Sequence, residues 1–471
     1  MAKQGVVVHR ASKRQISVGL ITLLLALTAI PAWADLYSAQ VAYKKGDFAT
    51  AFKQFKELAE VGQPQAQLDL AVMYARGEGV DNNNVYAHAW ASLAGQNGQA
   101  KGKSLAEQLE PDLTPTSLRV SSDIQAKYNQ ATLDARLMPH FLKGKEYADR
   151  DPVRNSKPFI PAYPAEAQRR GIQGEVYVEF VVAPDGHARI PRILYALPGG
   201  LFEDAVRESV MRSVYLPARI NGKPISTTVS TMYNFTVPGV KVSDYQGLEQ
   251  RVHDTELKAA AGDAQAQMLY GMMIAGLPQL RRTYDQALPW FLKAAQAGAP
   301  YAQYQVGTGL LQGRGCQCET GKGEIWLEKA AQADQADAQV SLAEYLLKSE
   351  SDRESAAGAV VWLERAAKQN NSAAKLLLSA VLAASPLSDL RDPPRALTLT
   401  DSIEHQYKID PSYWEIRAAA DASRGDFKAA VKTQAKAVSE AAHLGWDVAL
   451  LQQRQSLYES GQPWTGNLLA F

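Results

Sequence analysis

EVYVEFVVAPDGHARIPRILY, Glu175 to Tyr195, alternates apolar and polar residues in a chain whose other segments mostly repeat at helical spacing. Val176, Val178, Phe180 and Val182 fall on one side of an extended strand, and Glu175, Tyr177 and Glu179 on the other. Asp185-Gly186 supplies the left-handed φ angles of a tight reversal, and the return strand runs from His187 to Tyr195. Pro191 cannot donate to a ladder, which places this second strand at a sheet edge or a bulge. In LFEDAVRESVMRSVY, Phe202, Val206, Val210 and Val214 mark one helical stripe. Asn221-Gly222 then makes a turn, and PISTTVSTMYNFTV, Pro224 to Val237, reads as a third strand. A helix between strands two and three makes those two parallel, through a right-handed crossover. If strand two is an edge, strand three pairs with the free side of strand one. The expected sheet is antiparallel, ordered 2-1-3, with helices on one face and strand three as an open edge. Charge or proline usually guards such an edge, and Ile225 to Val237 has neither. The edge is therefore either covered by the rest of the chain or offered to a partner strand.

The flanking sequence is repetitive. WFLKAAQAG begins at Trp290, WLEKAAQAD at Trp326 and WLERAAKQN at Trp362, a constant step of 36 residues that Ala266, Ala302, Ala338 and Ala374 also keep. Each unit reads as two amphipathic helices, such as Ala264 to Gly276 followed by Tyr284 to Gly298. One such pair cannot bury its apolar face alone, so pairs stack into a solenoid, and the tryptophan stripe is read as packing. A further unit, Ala66 to Gly98, precedes the hairpin, with Gly77 and Gly79 in the tight loop between its helices. These units resemble Sel-like repeats, the roughly 36-residue branch of the tetratricopeptide superfamily. Ala373 to Tyr407 matches more loosely, with Thr398 at the tryptophan position, and Leu36 to Glu60 and Tyr413 to Val438 look like plain tetratricopeptide pairs. Such a resemblance implies protein or peptide binding on a concave face, not catalysis.

The 471 residues exceed one ordinary core and imply several domains. A composition of 46% apolar and 21% charged residues with net charge +1 is that of a soluble globular protein and argues against nucleic-acid binding. Two cysteines exclude a disulfide scaffold. At the N-terminus, Arg10, Lys13 and Arg14 precede the apolar run Ile16 to Ile30 and the small-x-small site Ala32 to Ala34. That order is the signature of a secretory signal peptide cleaved after Ala34, with a retained inner-membrane anchor as the alternative. The run is shorter than the roughly 20 residues of a membrane helix. In a bacterial chain the expected location is the periplasm.

Tyr163 to Val237 resembles the C-terminal domain of TonB, the periplasmic energy transducer. The residues that carry the likeness are Tyr163, Pro164, Ala167, Gly171 and Gly174, the Val-x-Val-x-Phe strand, Asp185, Gly186, Pro217 and Asn221-Gly222-Lys223-Pro224. In that family the last strand accepts a short segment of an outer-membrane transporter by strand addition. Carried over by position, the accepting residues are Thr227, Val229, Thr231, Tyr233 and Phe235, and proline at Val229 is expected to weaken partner binding. The chain departs from the family in lacking a long Pro-rich spacer and an anchor histidine near Ser17, and in having Ser213 where tryptophan is usual. Fold and partner binding are therefore carried over, and energy transduction is not.

Chemistry is sparse. His9, His88, His140, His187, His253, His405 and His443 show no metal-ligand spacing. Gly307 to Gly313 breaks the register of a dinucleotide loop inside a repeat helix, and neither a nucleophile elbow nor a Walker loop occurs. Cys316 and Cys318 form a C-x-C pair open to a strained disulfide, a redox role, or thiols that stay free or pair with another chain. No catalytic residue, metal or cofactor is expected. The fold class is mainly α: an α-solenoid of Sel-like and tetratricopeptide helix pairs with an inserted α+β TonB-like domain. The expected divisions are a signal peptide at 1–34, repeats at 35–140, the TonB-like domain at 155–240 and further repeats at 250–460. The leading function is binding of protein or peptide partners in the cell envelope, outer-membrane TonB-dependent transporters or other envelope proteins, in support of transmembrane transport. A repeat scaffold with a masked β-domain is the alternative, and an envelope redox enzyme or hydrolase a distant third; nucleic acid and small-molecule substrates are not expected.

Overall fold

The computed structural model describes residues 36–142, 150–151, 153–236, 245–277, 280–347 and 353–468. The expected signal peptide with its cleavage after Ala34, and Val237 at the end of the expected third strand, lie outside the described residues.

Helices form where the sequence places caps around amphipathic runs. In the first array, Pro64–Arg76 opens with proline and a Gln63 cap and closes on Gly77 in the left-handed region, φ 71°. Gly79, also at positive φ, lies so close to the first helix pair that an added Cβ would stand 2.2 Å from the Phe48 carbonyl oxygen. No other residue fits there. Ala66, Ala71, Ala87 and Ala91 are fully buried and let helices meet closely around Phe55, Leu70 and Trp90.

The second array keeps the 36-residue step in three dimensions. Its first helices are Ala264–Gly276, Pro300–Gln312, Ala336–Leu347 and Ser372–Ala384, each followed by a second helix. Trp326 and Trp362 are buried in its cores, and Trp290 packs edge-on against Tyr270 with ring centres 5.1 Å apart. Gly307 serves packing, since a Cβ there would meet Leu327 at 2.8 Å. The last repeats run through Pro411–Ser423, Phe427–Leu444 and Ala449–Glu459.

The two arrays join each other across the insert. Trp326 Nε1 donates to the Leu137 carbonyl at 3.2 Å, Gln317 N to the His140 carbonyl at 2.8 Å, and Phe141 bridges Cys316.

The insert is built on β1 (Gly174–Val182), β2 (Ala188–Leu197) and β3 (Thr227–Phe235). Their order is β2-β1-β3 and both pairings are antiparallel, so β2 and β3 run parallel, as the connecting helix requires. Val176, Val178, Phe180 and Val182 pack against Phe202, Val206 and Val210 around the helix Glu203–Arg212. β2 bulges where Ile190 and Pro191 oppose Phe180 alone. The bulge sends Ile190, at φ +49°, into the core of the second array.

Three local expectations need correction. Only Gly186 of the Asp185-Gly186 pair adopts positive φ; its added Cβ would stand 2.4 Å from the Tyr215 carbonyl oxygen. The expected third strand is split, because Asn221 and Gly222 at positive φ fold Ala218–Ile220 back on Lys223–Ile225 before β3 begins. Val214 leaves the helix for a short strand, Val214–Leu216, paired with Arg154–Lys157.

Candidate peptide-binding edge

β3 is the end strand of its sheet, and the phase of its hydrogen bonds decides what it can offer. In an antiparallel pair, successive residues turn their N–H and C=O alternately toward and away from the partner. Thr228 N donates to Gln312 Oε1 at 2.9 Å, and its carbonyl accepts from Arg314 Nη1 at 3.0 Å, so Thr228 faces away from β1. By alternation, Thr227, Val229, Thr231, Tyr233 and Phe235 bond β1, opposite Val182, Phe180, Val178, Val176 and Gly174. The outward residues are Thr228, Ser230, Met232 and Asn234. These four, rather than the five expected from position, carry the main-chain groups a partner strand could meet. Val229→Pro would therefore break the bond to β1, not a bond to a partner.

The edge is part covered and part open. Gln312 Nε2 also donates to Thr228 Oγ1 at 2.7 Å, so the repeats saturate that end of the strand. The outward groups of Ser230, Met232 and Asn234 carry no hydrogen bond among the described residues. Ser230 and Met232 are half-buried and Asn234 is exposed.

The residues expected to define the domain each have a physical task. Tyr163 Oη donates to the Ile172 carbonyl at 2.6 Å, and its ring stands edge-on to Phe202 and Phe235. Gly174 passes Phe202 so closely that a Cβ would lie 2.3 Å from the ring. Pro164 begins the helix Ala165–Arg170, and Pro217 follows the strand that Gly186 touches. Asp185 pairs with Arg189 at 2.6 Å and caps His187 N; although burial works against its charge, these partners hold its carboxyl below the ordinary range. Ser213 donates to the Ser209 carbonyl at 2.7 Å and accepts from Phe159 N at 2.9 Å.

The middle of the second face of the sheet is buried against the repeats. Glu179 is wholly buried and accepts from Arg192 Nη2 at 2.6 Å, Gln305 Nε2 at 3.1 Å, Ser230 Oγ at 3.2 Å and the Tyr304 hydroxyl. Arg192 also donates to Tyr304 Oη at 2.7 Å and stands 3.9 Å from Asp337. Burial, above all, pushes the Tyr304 hydroxyl well above its ordinary value, and burial likewise raises the Asp337 carboxyl against the pull of Arg192. The network joins all three strands of the sheet to two successive first helices of the repeats. Tyr177 is pressed beside Gly276, and Arg189 stacks over Trp446 at 3.4 Å. Sequence reasoning placed Glu179 on the second face but missed its partners, of which Tyr304 and Gln305 lie more than a hundred residues away.

Cys316 is buried and donates to the Gly309 carbonyl, while the exposed Cys318 donates to Leu311, so the two sulfurs point to different carbonyls instead of to each other. Among the described residues, no cluster of His, Cys, Asp or Glu suits a metal ion.

Comparison with known proteins agrees with this architecture. Residues 160–237 match the model of the Gram-negative bacterial TonB protein C-terminal region. The insert matches the TonB C-terminal family. The Sel1 repeat model matches 64–99, 264–298, 300–335 and 336–371, on both sides of the TonB-like domain. Protein TonB of Escherichia coli (strain K12) is 44% identical over 69 residues, 15% of this chain and 27% of that protein. Protein TonB of Klebsiella pneumoniae is 37% identical over 83 residues, 18% of this chain and 32% of that protein. The chain thus spans under a third of these relatives' lengths. Among solved structures, a protective antigen of uropathogenic Escherichia coli displaying an SLR fold is 17% identical, with 90% of this chain and 72% of that one covered at a TM-score of 0.35. A Sel1 repeat protein from Oxalobacter formigenes is 16% identical, with 79% and 100% covered at a TM-score of 0.29. Both matched families are interaction modules, so the chain is a mainly helical repeat protein carrying a TonB-like domain.

Proposed function

We propose that this is a periplasmic adaptor of the cell envelope, whose TonB-like domain receives an extended peptide from an envelope partner along β3. An outer-membrane TonB-dependent transporter is the first partner to test, and the repeats hold the domain in one orientation. The observation that carries this reading is the end strand with Ser230, Met232 and Asn234 turned outward beyond the saturated Thr228. Three outward residues offer up to six main-chain hydrogen bonds, together about 6 kcal/mol at roughly 1 kcal/mol net each. Micromolar binding needs about 8 kcal/mol after ordering costs, so side-chain contacts must supply the rest. No part of the reading requires catalysis or coupling to a proton-driven motor.

A photo-crosslinking residue at Asn234, placed in living cells, tests it. Capture of an envelope protein through an extended segment supports the reading, and crosslinks confined to the chain itself oppose it. A second reading, a purely structural domain with its edge masked, is favoured by the Gln312 and Arg314 bonds to Thr228. Slow amide exchange at Ser230, Met232 and Asn234 in the unliganded protein is its expected signature.

A further inference from the structure

Arg154 to Ile160, RNSKPFI, is exposed at every residue. Ile160 is 84% exposed, more than any other large apolar residue among those described. One exposed apolar side chain is ordinary, but several set among charges mark an interaction surface. The pairing of Arg154–Lys157 with Val214–Leu216 supplies the others. Tyr215 turns into the core, so Val214 and Leu216 turn out, and Leu216 is 54% exposed. Residues opposite each other in an antiparallel pair project to the same side. Arg154 lies opposite Leu216, and a bulge after Asn155 brings Lys157 opposite Val214. Lys157 leads through Pro158 into Phe159 and Ile160, and Arg212 stacks over the Phe159 ring at 5.1 Å.

What this surface offers is carried by side chains. Pro158 and Pro161 have no N–H, Phe159 N donates to Ser213 Oγ at 2.9 Å, and the Phe159 carbonyl accepts from Ser209 Oγ. The loop therefore cannot pair with an incoming strand. Arg212 is matched by Glu208 at 3.0 Å, whereas no carboxylate among the described residues pairs with Arg154 or Lys157. The result is uncompensated positive charge around apolar tips. Its complement is an apolar layer behind a negative one, which is the order of an anionic phospholipid surface. An acidic peptide would match the cations but could not use the main chain of the loop.

We propose that this surface docks on a membrane of anionic phospholipid, with Ile160 and Leu216 at the headgroup boundary and Arg154 and Lys157 among the phosphates. It uses none of the outward groups of β3 and stands whether or not that edge takes a strand.

The test is flotation of the purified full chain with vesicles of equal parts phosphatidylglycerol and phosphatidylethanolamine, against vesicles of phosphatidylcholine alone. Binding is expected to the first and not to the second, and should fade as salt rises. Arg154→Gln/Lys157→Gln should weaken it roughly twenty-five-fold, about five-fold for each charge. Ile160→Ser should weaken it about ten-fold. All three positions are exposed, so these variants should melt with the parent chain. Leu257→Ser, at a 57% exposed position of the repeats, should leave binding within about two-fold. Absence of flotation, equal binding to phosphatidylcholine, or binding that both surface variants leave intact would each overturn the proposal; the last would place the contact elsewhere in the chain. Tighter binding of a soluble acidic peptide would overturn it too and make the surface a protein site.

Discussion

Replacing Glu179 with alanine removes the acceptor shared by Arg192, Tyr304, Gln305 and Ser230, and leaves a guanidinium that is 7% exposed facing only Asp337 at 3.9 Å. Breaking a buried pair from one side costs about 3–5 kcal/mol, mostly the penalty of the stranded charge. Against a net stability of about 5–15 kcal/mol, that is a large share. The loss should be local in kind, because the four donors lie on two strands and one repeat helix. Hydrogen exchange should therefore quicken together in β1, β2, β3 and Pro300–Gln312, while the first array, 36–109, keeps its protection. The companion variant Glu179→Ala/Arg192→Met removes both charges and should regain about 2 kcal/mol or more of what the single change loses. Chemical denaturation gives the magnitudes and exchange gives the locations. A single-variant loss below about 1 kcal/mol, the range of an exposed pair, would refute the claim that this cluster clamps the sheet to the repeats.

Other expectations are narrower. Val229→Pro should lower stability by about 1–3 kcal/mol through the broken β1 bond; Asn234→Pro, on the outward phase and exposed, should change the melting temperature little, and equal losses would contradict the assigned alternation. Gly174→Ala drives a methyl to 2.3 Å from the Phe202 ring and should cost about 1–3 kcal/mol, read by thermal melting. Burial pushes the Glu415 carboxyl from 4.5 up to about 7, against the pull of Arg454. The folded state then keeps a proton that the unfolded chain releases, so this stabilisation is present below about pH 4.5 and lost as pH rises toward about 7. The melting temperature should fall across that window and Glu415→Gln should flatten the slope; a slope unchanged in the variant would clear Glu415 of the effect.

What could be read from the sequence follows from what is local. Alternation from Val176 to Val182, the stripe Phe202-Val206-Val210 and the constant 36-residue step are short-range signals, and the sheet order and helix pairs followed from them. The turn at Asn221-Gly222 was read but its short flanking strands were not, because Pro224 to Val237 reads as one run of β-branched and aromatic residues with no break at Ser226. The accepting residues were placed on the wrong phase of β3, although the chain itself holds the clue. With L-residues, strand direction and the face a side chain takes together determine which edge its N–H and C=O meet. Tyr233 and Val229 share the helix-covered face with β1's valines, so their main chains belong to β1. The glutamate clamp was beyond reach, since Tyr304 and Gln305 lie 125 and 126 residues from Glu179 and look like ordinary repeat positions.

The bonds from Gln312 and Arg314 to Thr228 have a consequence for alignment. A bare β edge lets an incoming strand slip by two residues at little cost, because every second position looks the same to it. Here the row of outward groups has a closed end, so a guest strand can occupy only the positions beyond Thr228, and its frame is set before any side chain is read. The repeats would thus act on a bound peptide without touching it, by deciding where it has to stop.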